Sequence, residues 1–225
     1  GLWMLCLLHH IPTEETIRYA LGCAVPKPVD PQWLSKAQTA QQQVLQSSQP
    51  RFCWRVFPSA PLLEQLLTGQ DIRSHLSGCT DCILLAATLG AQVDTLIRRA
   101  QVRDMEQALW LDAAASAAIE EVCDTAQRQI AEQLGQSLTH RFSCGYGDLP
   151  LSIQPQLCTL LDSAKSIGLS VSHSSMLTPV KSVTAILGIL PAGTVASAPK
   201  PCTICHLKEN CVLRRKGVFC GKSTD

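Results

Sequence analysis

The sequence predicts an α+β fold: a single domain in which a twisted, mainly antiparallel sheet is flanked by helices and followed by a short cysteine-rich tail. Three observations support this prediction. A long alanine-rich segment carries apolar residues at helical spacing, and runs of β character lie on both sides of it. The 225 residues, of which 46% are apolar, are enough for a sizeable core. Beyond Pro191 the composition changes to alanine, glycine, proline and lysine, which is typical of a linker.

Residues 1–60 are predicted to supply two helices and the first strand of the domain. The first helix begins at Thr13, whose hydroxyl is expected to cap it, and ends at Gly22. The second helix begins at Asp30, which is followed by a proline. Alternating apolar residues over Arg51–Phe57 predict a strand. One face of that strand carries Phe52, Trp54 and Val56.

Residues 61–190 are predicted to form the rest of the domain. Two short helices are expected over Leu62–Leu67 and Asp71–Leu76, and the apolar run Cys82–Thr88 is interpreted as a buried strand. The central helix is expected over Asp104–Leu134. Its apolar stripe consists of Ala108, Leu111, Ala115, Ala118, Ile119, Val122, Ala126 and Ile130.

The chain is expected to return from the central helix as a strand over Ser137–Phe142. Ser152 is then expected to cap another helix, which ends at Gly168. The segment Leu169–Leu190 has β character, and a break at Thr178–Pro179 divides it into two predicted strands.

The charge balance argues against two classes of partner. The net charge is +1, from 19 Lys and Arg residues against 18 Asp and Glu residues, which offers no broad attraction to a nucleic acid or an anionic membrane. The apolar run Leu2–Leu8 is too short to span a membrane, and no Lys or Arg precedes it as in a signal peptide. The cytoplasm is therefore the expected compartment.

Twelve cysteines are scattered through helix-like segments, so reduced thiols are expected rather than a disulfide framework. Cys79 and Cys82 are expected in a loop that leads into a strand. The adjacent residues His9 and His10 are expected at the surface. Five further cysteines are predicted to act mostly as small apolar side chains: Cys6, Cys23, Cys53, Cys123 and Cys158.

Residues 191–225 are predicted to be a linker and a cysteine-rich tail with the spacing C-x2-C-x5-C-x8-C. Four thiolates can hold zinc or an iron–sulfur cluster. The alternative is a reduced, disordered tail without metal. The four candidate ligands are Cys202, Cys205, Cys211 and Cys220.

The stretch Arg141–Leu151, which reads R-F-S-C-G-Y-G-D-L-P-L, is predicted to be an anion-holding turn. The guanidinium of Arg141 can bind a carboxylate through two parallel hydrogen bonds. Gly145 and Gly147 allow the backbone to approach a ligand closely. Between them Tyr146 offers a flat ring with a hydroxyl at its tip.

The order of motifs around this turn resembles the activation domain of cobalamin-dependent methionine synthase, and particularly its small stand-alone versions. The long helix is followed by R-x-x-x-G-Y-G, by a helix that ends L-L-D-S-A-K-S-I-G-L, and by S-x-M-L-x-P-x-K-S-V-T-A. The resemblance extends over residues 61–190. The matching positions are Arg141, Gly145, Tyr146, Asp162, Lys165, Gly168, Pro179, Ser182 and Val183. Three positions depart from the family pattern, namely Cys144, His173 and Ala185, where Pro, Glu and Gly are usual.

The resemblance implies a binding site for S-adenosylmethionine. It assigns the grip on the ligand to Arg141, backbone contacts to Ser143, and a position along the ligand to Tyr146. Gly145, which lets the backbone come close to a ligand, is also a predicted binding residue. Glu120 of the long helix would hold the positive end of the ligand. A cation, an anion and an aromatic ring suit a ligand that carries a carboxylate, an ammonium, a sulfonium and an adenine.

The function implied by the resemblance is that of an accessory module rather than a complete enzyme. The module would bind S-adenosylmethionine and support the reductive methylation of cobalamin carried by a separate methionine synthase or corrinoid protein. The sequence contains no catalytic signature such as G-x-S-x-G or H-E-x-x-H. Two alternatives are a metal- or iron–sulfur-bearing redox activator of a corrinoid protein, and an interaction module that has lost the ligand.

Overall fold

A four-stranded antiparallel sheet separates two layers of helices in the computed structural model, which describes residues 2–194. The sheet consists of β1 (Leu2–Leu5), β2 (Arg51–Pro58), β3 (Asp81–Thr88) and β6 (Ser182–Gly188), in the order β1-β2-β3-β6. A separate two-stranded ribbon pairs β4 (Ser170–Val171) with β5 (Leu177–Thr178).

Eight α-helices lie in the described part of the chain. They are α1 (Thr13–Leu21), α2 (Pro31–Ser47), α3 (Ser59–Gln65), α4 (Gln70–His75), α5 (Ala91–Arg103), α6 (Met105–Leu134), α7 (Gln154–Leu161) and α8 (Ser163–Ile167). A 3-10 turn, Leu151–Ile153, precedes α7. One face of the sheet packs against α1, α2, α5 and α6, and the other against α3, α4, α7 and α8. None of these helices is both long and apolar enough to span a membrane.

The central strand β3 is buried on both faces. Alternate residues along it join the two separate apolar cores, as the period of a strand requires. The core beneath α6 receives Ile83, Leu85 and Ala87. The core beneath α7 receives Cys82, Leu84 and Ala86. Together with the antiparallel pairing on both sides of β3, this arrangement confirms the predicted fold class.

The long helix α6 is capped at both ends. The carboxylate of Asp104 accepts hydrogen bonds from the backbone N–H groups of Glu106 and Gln107, at 3.0 and 3.1 Å. Gly135 ends the helix in the left-handed region with φ 63°. The predicted apolar stripe is confirmed, because all eight of its residues are buried.

Two predicted caps are wrong. Pro12 occupies the capping position of α1, and the Thr13 hydroxyl instead bonds the Gln41 side chain at 3.3 Å. Ser152 lies inside the 3-10 turn and does not cap α7. The single helix expected up to Gly168 is divided at Asp162, whose φ of 52° interrupts the helical backbone between α7 and α8.

The strand predicted over Ser137–Phe142 is also wrong. This segment forms only two isolated bridges to the β6 region, which pair Leu138 with Ile189 and Phe142 with Ile186. Between the bridges the hydroxyl of Thr139 accepts the backbone N–H of Gly188 at 2.8 Å, so a side chain replaces one ladder bond. The segment nevertheless runs along the open edge of β6.

The sequence interpretation missed β1 and α5, and it predicted two strands where β4, β5 and β6 form three. A signal for α5 was present, because its buried residues Val93, Ile97 and Ala100 follow helical spacing. No comparable pattern was available for β4 and β5, since strands of two residues are too short for one.

The cysteines of the described residues are all free thiols, as predicted. Cys23 is only half-buried, and His9 and His10 are exposed, as expected. Cys79 precedes β3 and Cys82 belongs to it, and both are buried. The remaining predicted apolar thiols are buried, namely Cys6, Cys53, Cys123 and Cys158.

Ala118→Leu should destabilise the fold, because Ala118 is fully buried where α6 packs against the rest of the core. Three added carbon atoms have no space there, and the expected loss in the free energy of unfolding is about 1–3 kcal/mol. Urea denaturation measures this loss. The control is Ala60→Leu at an exposed position of α3, and equal unfolding free energies for the two variants would contradict the prediction.

Candidate functional site

Arg141 and Glu120, the two charged residues predicted to hold a ligand, are in direct contact. The Nη2 atom of Arg141 donates to Oε2 of Glu120 at 2.8 Å. Two more side chains of α6 bind the other arm of the guanidinium. The Nη1 atom lies 2.8 Å from Oδ1 of Asp124 and donates to Oε1 of Gln127 at 3.1 Å.

Within this charge cluster the guanidinium is better shielded from water than the carboxylates. The side chain of Arg141 is 17% exposed, against 33% for Glu120 and 35% for Asp124. Burial alone would lower the pKa of Arg141, but the negative charges of the Glu120 and Asp124 carboxylates favour the charged guanidinium, and the pKa lies above its ordinary value. The guanidinium therefore stays charged at any pH at which the protein is folded.

Helical spacing brings the three acceptors to one guanidinium. Glu120, Asp124 and Gln127 follow one another at intervals of four and three residues, which places them on one face of α6. Gln127 also donates to the backbone carbonyl of Thr139 at 3.1 Å, which binds α6 to the segment that carries Arg141. Phe142, the residue after Arg141, is buried in the core beneath α7, on the other face of the sheet.

The turn after Arg141 contains the other predicted site residues. The N–H of Tyr146 donates to the carbonyl of Ser143 at 3.1 Å, and the N–H of Gly145 donates to that of Leu149 at 2.9 Å. Gly145 has φ 84°, which favours glycine. The ring of Tyr146 is 37% exposed and meets Phe142 edge-on, with ring centroids 5.2 Å apart.

A reciprocal pair of aspartates fixes this turn to the start of α4. The carboxylate of Asp148 accepts the N–H groups of Gln70 and Asp71 at 2.6 and 3.1 Å. In return, the carboxylate of Asp71 accepts the N–H of Asp148 at 3.1 Å. Gly147 is required here, because its φ is 56° and a Cβ atom would collide with the Asp71 carboxylate.

A row of four rings continues from the turn towards α4. His75 lies 4.4 Å from His140 and 5.1 Å from Phe142, measured between ring centroids. Burial, followed by the charge of His140, lowers the pKa of His75 to about 4, and burial lowers that of His140. An Nε2 contact of 3.0 Å to the hydroxyl of Thr139 holds the His75 ring. Both histidines are therefore neutral at pH 7.

Three residues near Arg141 were missed by the sequence interpretation. Asp124 and Gln127 had a signal, because they follow Glu120 on the same helical face. Tyr19 of α1 had none, since it is brought to Glu120 by packing of distant segments. Burial, together with the nearby charge of Glu120, raises the pKa of Tyr19.

The segment that leads into β6 is also attached to α6. Lys181 is 14% exposed, and its Nζ lies 2.9 Å from both Oδ1 of Asp112 and the hydroxyl of Ser116. Ser182 donates to the Thr88 hydroxyl at 2.8 Å. These contacts fix the position of the S-V-T segment against the central helix.

The three departures from the family pattern lie in different environments. Cys144 is half-buried, and burial raises the pKa of its thiol to about 11, so the thiol stays protonated at pH 7. Ala185 is buried in the core beneath α6. His173 is exposed in the turn between β4 and β5.

Residues 2–194 contain no group of three or more His, Cys, Asp or Glu side chains placed to bind a metal ion. The predicted metal ligands Cys202, Cys205, Cys211 and Cys220 lie outside the described residues. The metal prediction for the tail therefore stays a prediction.

Gly147→Ala should destabilise the protein more than Gly135→Ala. Both glycines have a left-handed backbone, which costs about 1 kcal/mol for alanine. Only at Gly147 would the new Cβ displace the Asp71 carboxylate from its hydrogen bond, which adds about 1–3 kcal/mol. Urea denaturation compares the two variants, and an equal loss of stability would show that the aspartate pair does not constrain the turn.

The protein should lose stability on acidification because of His75. Its pKa is about 4 when folded against an ordinary 6.5, so between these values the unfolded chain binds a proton that the folded protein does not. The free energy of unfolding should therefore fall as pH decreases through this window, by on the order of 3 kcal/mol. Urea denaturation from pH 7 to 4 should show a shallower decline for His75→Gln. The control His173→Gln should follow the wild type, and parallel profiles for wild type and His75→Gln would contradict this account.

Comparisons with known proteins give a match in structure alone. The sequence matches no protein-family model and no curated protein. Among solved structures, the chain is similar to the MetH reactivation domain bound to AdoHcy, with a TM-score of 0.60. The match covers 97% of this chain and 86% of that one, at 14% sequence identity. The chain therefore has the fold of that reactivation domain.

Proposed function

We propose that this chain binds S-adenosylmethionine and supports the reductive methylation of cobalamin on a separate methionine synthase or corrinoid protein. One observation carries the proposal: a shielded Arg141–Glu120 pair sits beside the G-Y-G turn. The fold gives support, because it is shared with a domain whose solved structure contains AdoHcy. The proposed compartment is the cytoplasm.

The pair is chemically suited to the amino-acid end of the ligand. That end carries one carboxylate and one ammonium, the same two charges that Arg141 and Glu120 carry with opposite sign. When it enters, the ligand carboxylate takes a place on Arg141 and the ammonium takes a place on Glu120. One ion pair is exchanged for two, so neither protein charge is left buried without a partner.

The turn is proposed to bind the rest of the ligand. Gly145 is exposed and has no side chain to cover its backbone, Ser143 is half-buried, and the partly exposed ring of Tyr146 offers an apolar face. The aspartate pair that ties the turn to α4 keeps these groups in place before the ligand arrives. Such preorganisation lowers the entropy that binding must overcome.

The bound ligand would supply an electrophilic methyl group. A thioether is a neutral leaving group, so the chain needs no general base for this transfer and instead binds the ligand, orients it and excludes water. A site that consists of one ion pair and a turn, without a general base, is consistent with this role. Cobalamin is proposed to be carried by the partner protein.

Titration calorimetry with S-adenosylmethionine and with AdoHcy tests the proposal. Arg141→Gln should weaken binding by roughly 10- to 150-fold, which corresponds to one lost charged hydrogen bond. The matched control is Arg99→Gln, at an exposed position of α5, which should bind like the wild type. Circular dichroism of each variant verifies folding.

Two results would contradict the proposal. One is the absence of saturable binding by the folded wild-type protein. The other is equal affinity in the wild type and in folded Arg141→Gln, which would show that the ligand is bound elsewhere.

A further inference from the structure

The junction of α5 and α6 (residues 98–109), which we call the α5–α6 corner, exposes three large apolar side chains. Val102 is 88% exposed, Met105 70% and Leu109 51%. Single exposed apolar residues are common on protein surfaces, but a cluster that is bordered by polar residues is typical of an interaction site. The corner is therefore a candidate docking surface.

The fold does not require apolar side chains at these positions. Asp104, the residue between the two helices, caps α6 through its carboxylate, and its N–H donates to the carbonyl of Ala100 at 2.8 Å. Met105 and Leu109 are four residues apart, which places them on one exposed face of α6. Because Asp104 already holds the junction, a contact with another molecule would explain why these exposed positions are apolar.

Two arginines of α5 border Val102. Val102 follows Arg98 by four residues and Arg99 by three, so the three side chains lie together on the outward face of the helix. Both arginines are exposed, and neither makes an ion pair with a residue in the described part of the chain. Each guanidinium therefore keeps its fork of donors available for a carboxylate of another molecule.

The corner carries charges of both signs, which favours a protein over a lipid membrane or a nucleic acid. Its exposed arginines are Arg98, Arg99 and Arg103, and its exposed carboxylates are Asp104 and Glu106. A uniformly anionic surface would attract the arginines but repel the carboxylates. A folded protein can place carboxylates opposite the arginines alone and bury the apolar side chains between them.

We propose that the α5–α6 corner is the docking surface for another protein, whose own surface presents carboxylates around an apolar groove. The three apolar side chains enter the groove, and Arg98 and Arg99 bind the carboxylates at its rim. Glu120 lies 15 residues beyond Met105, which is roughly 22 Å along α6, so an occupied corner leaves the candidate ligand site open. Docking at the corner therefore does not require the proposed function.

A random peptide library displayed on phage and selected against the full chain is the probe that tests the proposal. The selected peptides should carry Asp or Glu among large apolar residues. Fluorescence anisotropy should then show that Met105→Ser and Arg99→Glu each weaken binding of these peptides by roughly tenfold or more. Both substitutions are at exposed positions, so the fold should be kept, and circular dichroism verifies this.

Two matched control variants make the same chemical changes away from the corner. Met176→Ser removes an exposed methionine between β4 and β5, and Arg128→Glu reverses an exposed charge in the second half of α6. Both should bind the peptides within about twofold of the wild type. Selected peptides without acidic residues, or equal affinity for the wild type and the corner variants, would overturn the proposal.

Two further measurements separate a protein partner from other occupants of the corner. Vesicles of phosphatidylcholine and phosphatidylserine should not bind the chain through the corner in sedimentation, and analytical ultracentrifugation should show no dimer formed through it. Vesicle binding that Met105→Ser abolishes would assign the corner to a membrane and overturn the proposal. A dimer that Met105→Ser dissociates would assign it to a second copy of this chain, which would overturn the proposal as well.

Discussion

The candidate site depends on one contact, the attachment of Arg141 to the polar edge of α6. Arg141 lies in the segment that runs along the open edge of β6, and the α6 carboxylates meet it there. Because the guanidinium is only 17% exposed, its charge is stable only while these acceptors surround it. The site therefore requires α6 to reach Arg141 and to lie close to its segment. The buried stripe allows this position, because its small alanine side chains let α6 pack closely on its neighbours.

The turn is constrained from the opposite layer of the fold. Asp148 and Asp71 exchange hydrogen bonds between the turn and α4, while the ring of Tyr146 packs edge-on against Phe142. Arg141 is thus attached to the α6 layer, and the turn is attached to the layer of α4 and α7. The edge of the sheet lies between them, and a ligand there would contact both layers. This geometry holds the turn in place from both layers of the fold.

Local patterns predicted the parts of the fold that local forces determine. The α6 stripe follows from helical spacing, β2 from its alternation of apolar residues, and β3 from its continuous apolar run. The edge segment could not be predicted, because its ladder is interrupted by a hydroxyl of Thr139 that bonds a residue 49 positions away. For the site, the sequence indicated Arg141 and Glu120, and the structure brings them together. It did not indicate that they bind each other, or that Asp124 shares the guanidinium, because both facts depend on how the segment crosses α6.

The central claim is that the Arg141–Glu120 pair is the resting state of a site for an α-amino acid ligand. A crystal structure of the chain with AdoHcy tests it most directly. The account predicts the ligand carboxylate on Arg141 and the ligand ammonium on Glu120. A ligand bound elsewhere, with the Arg141–Glu120 contact intact, would contradict it.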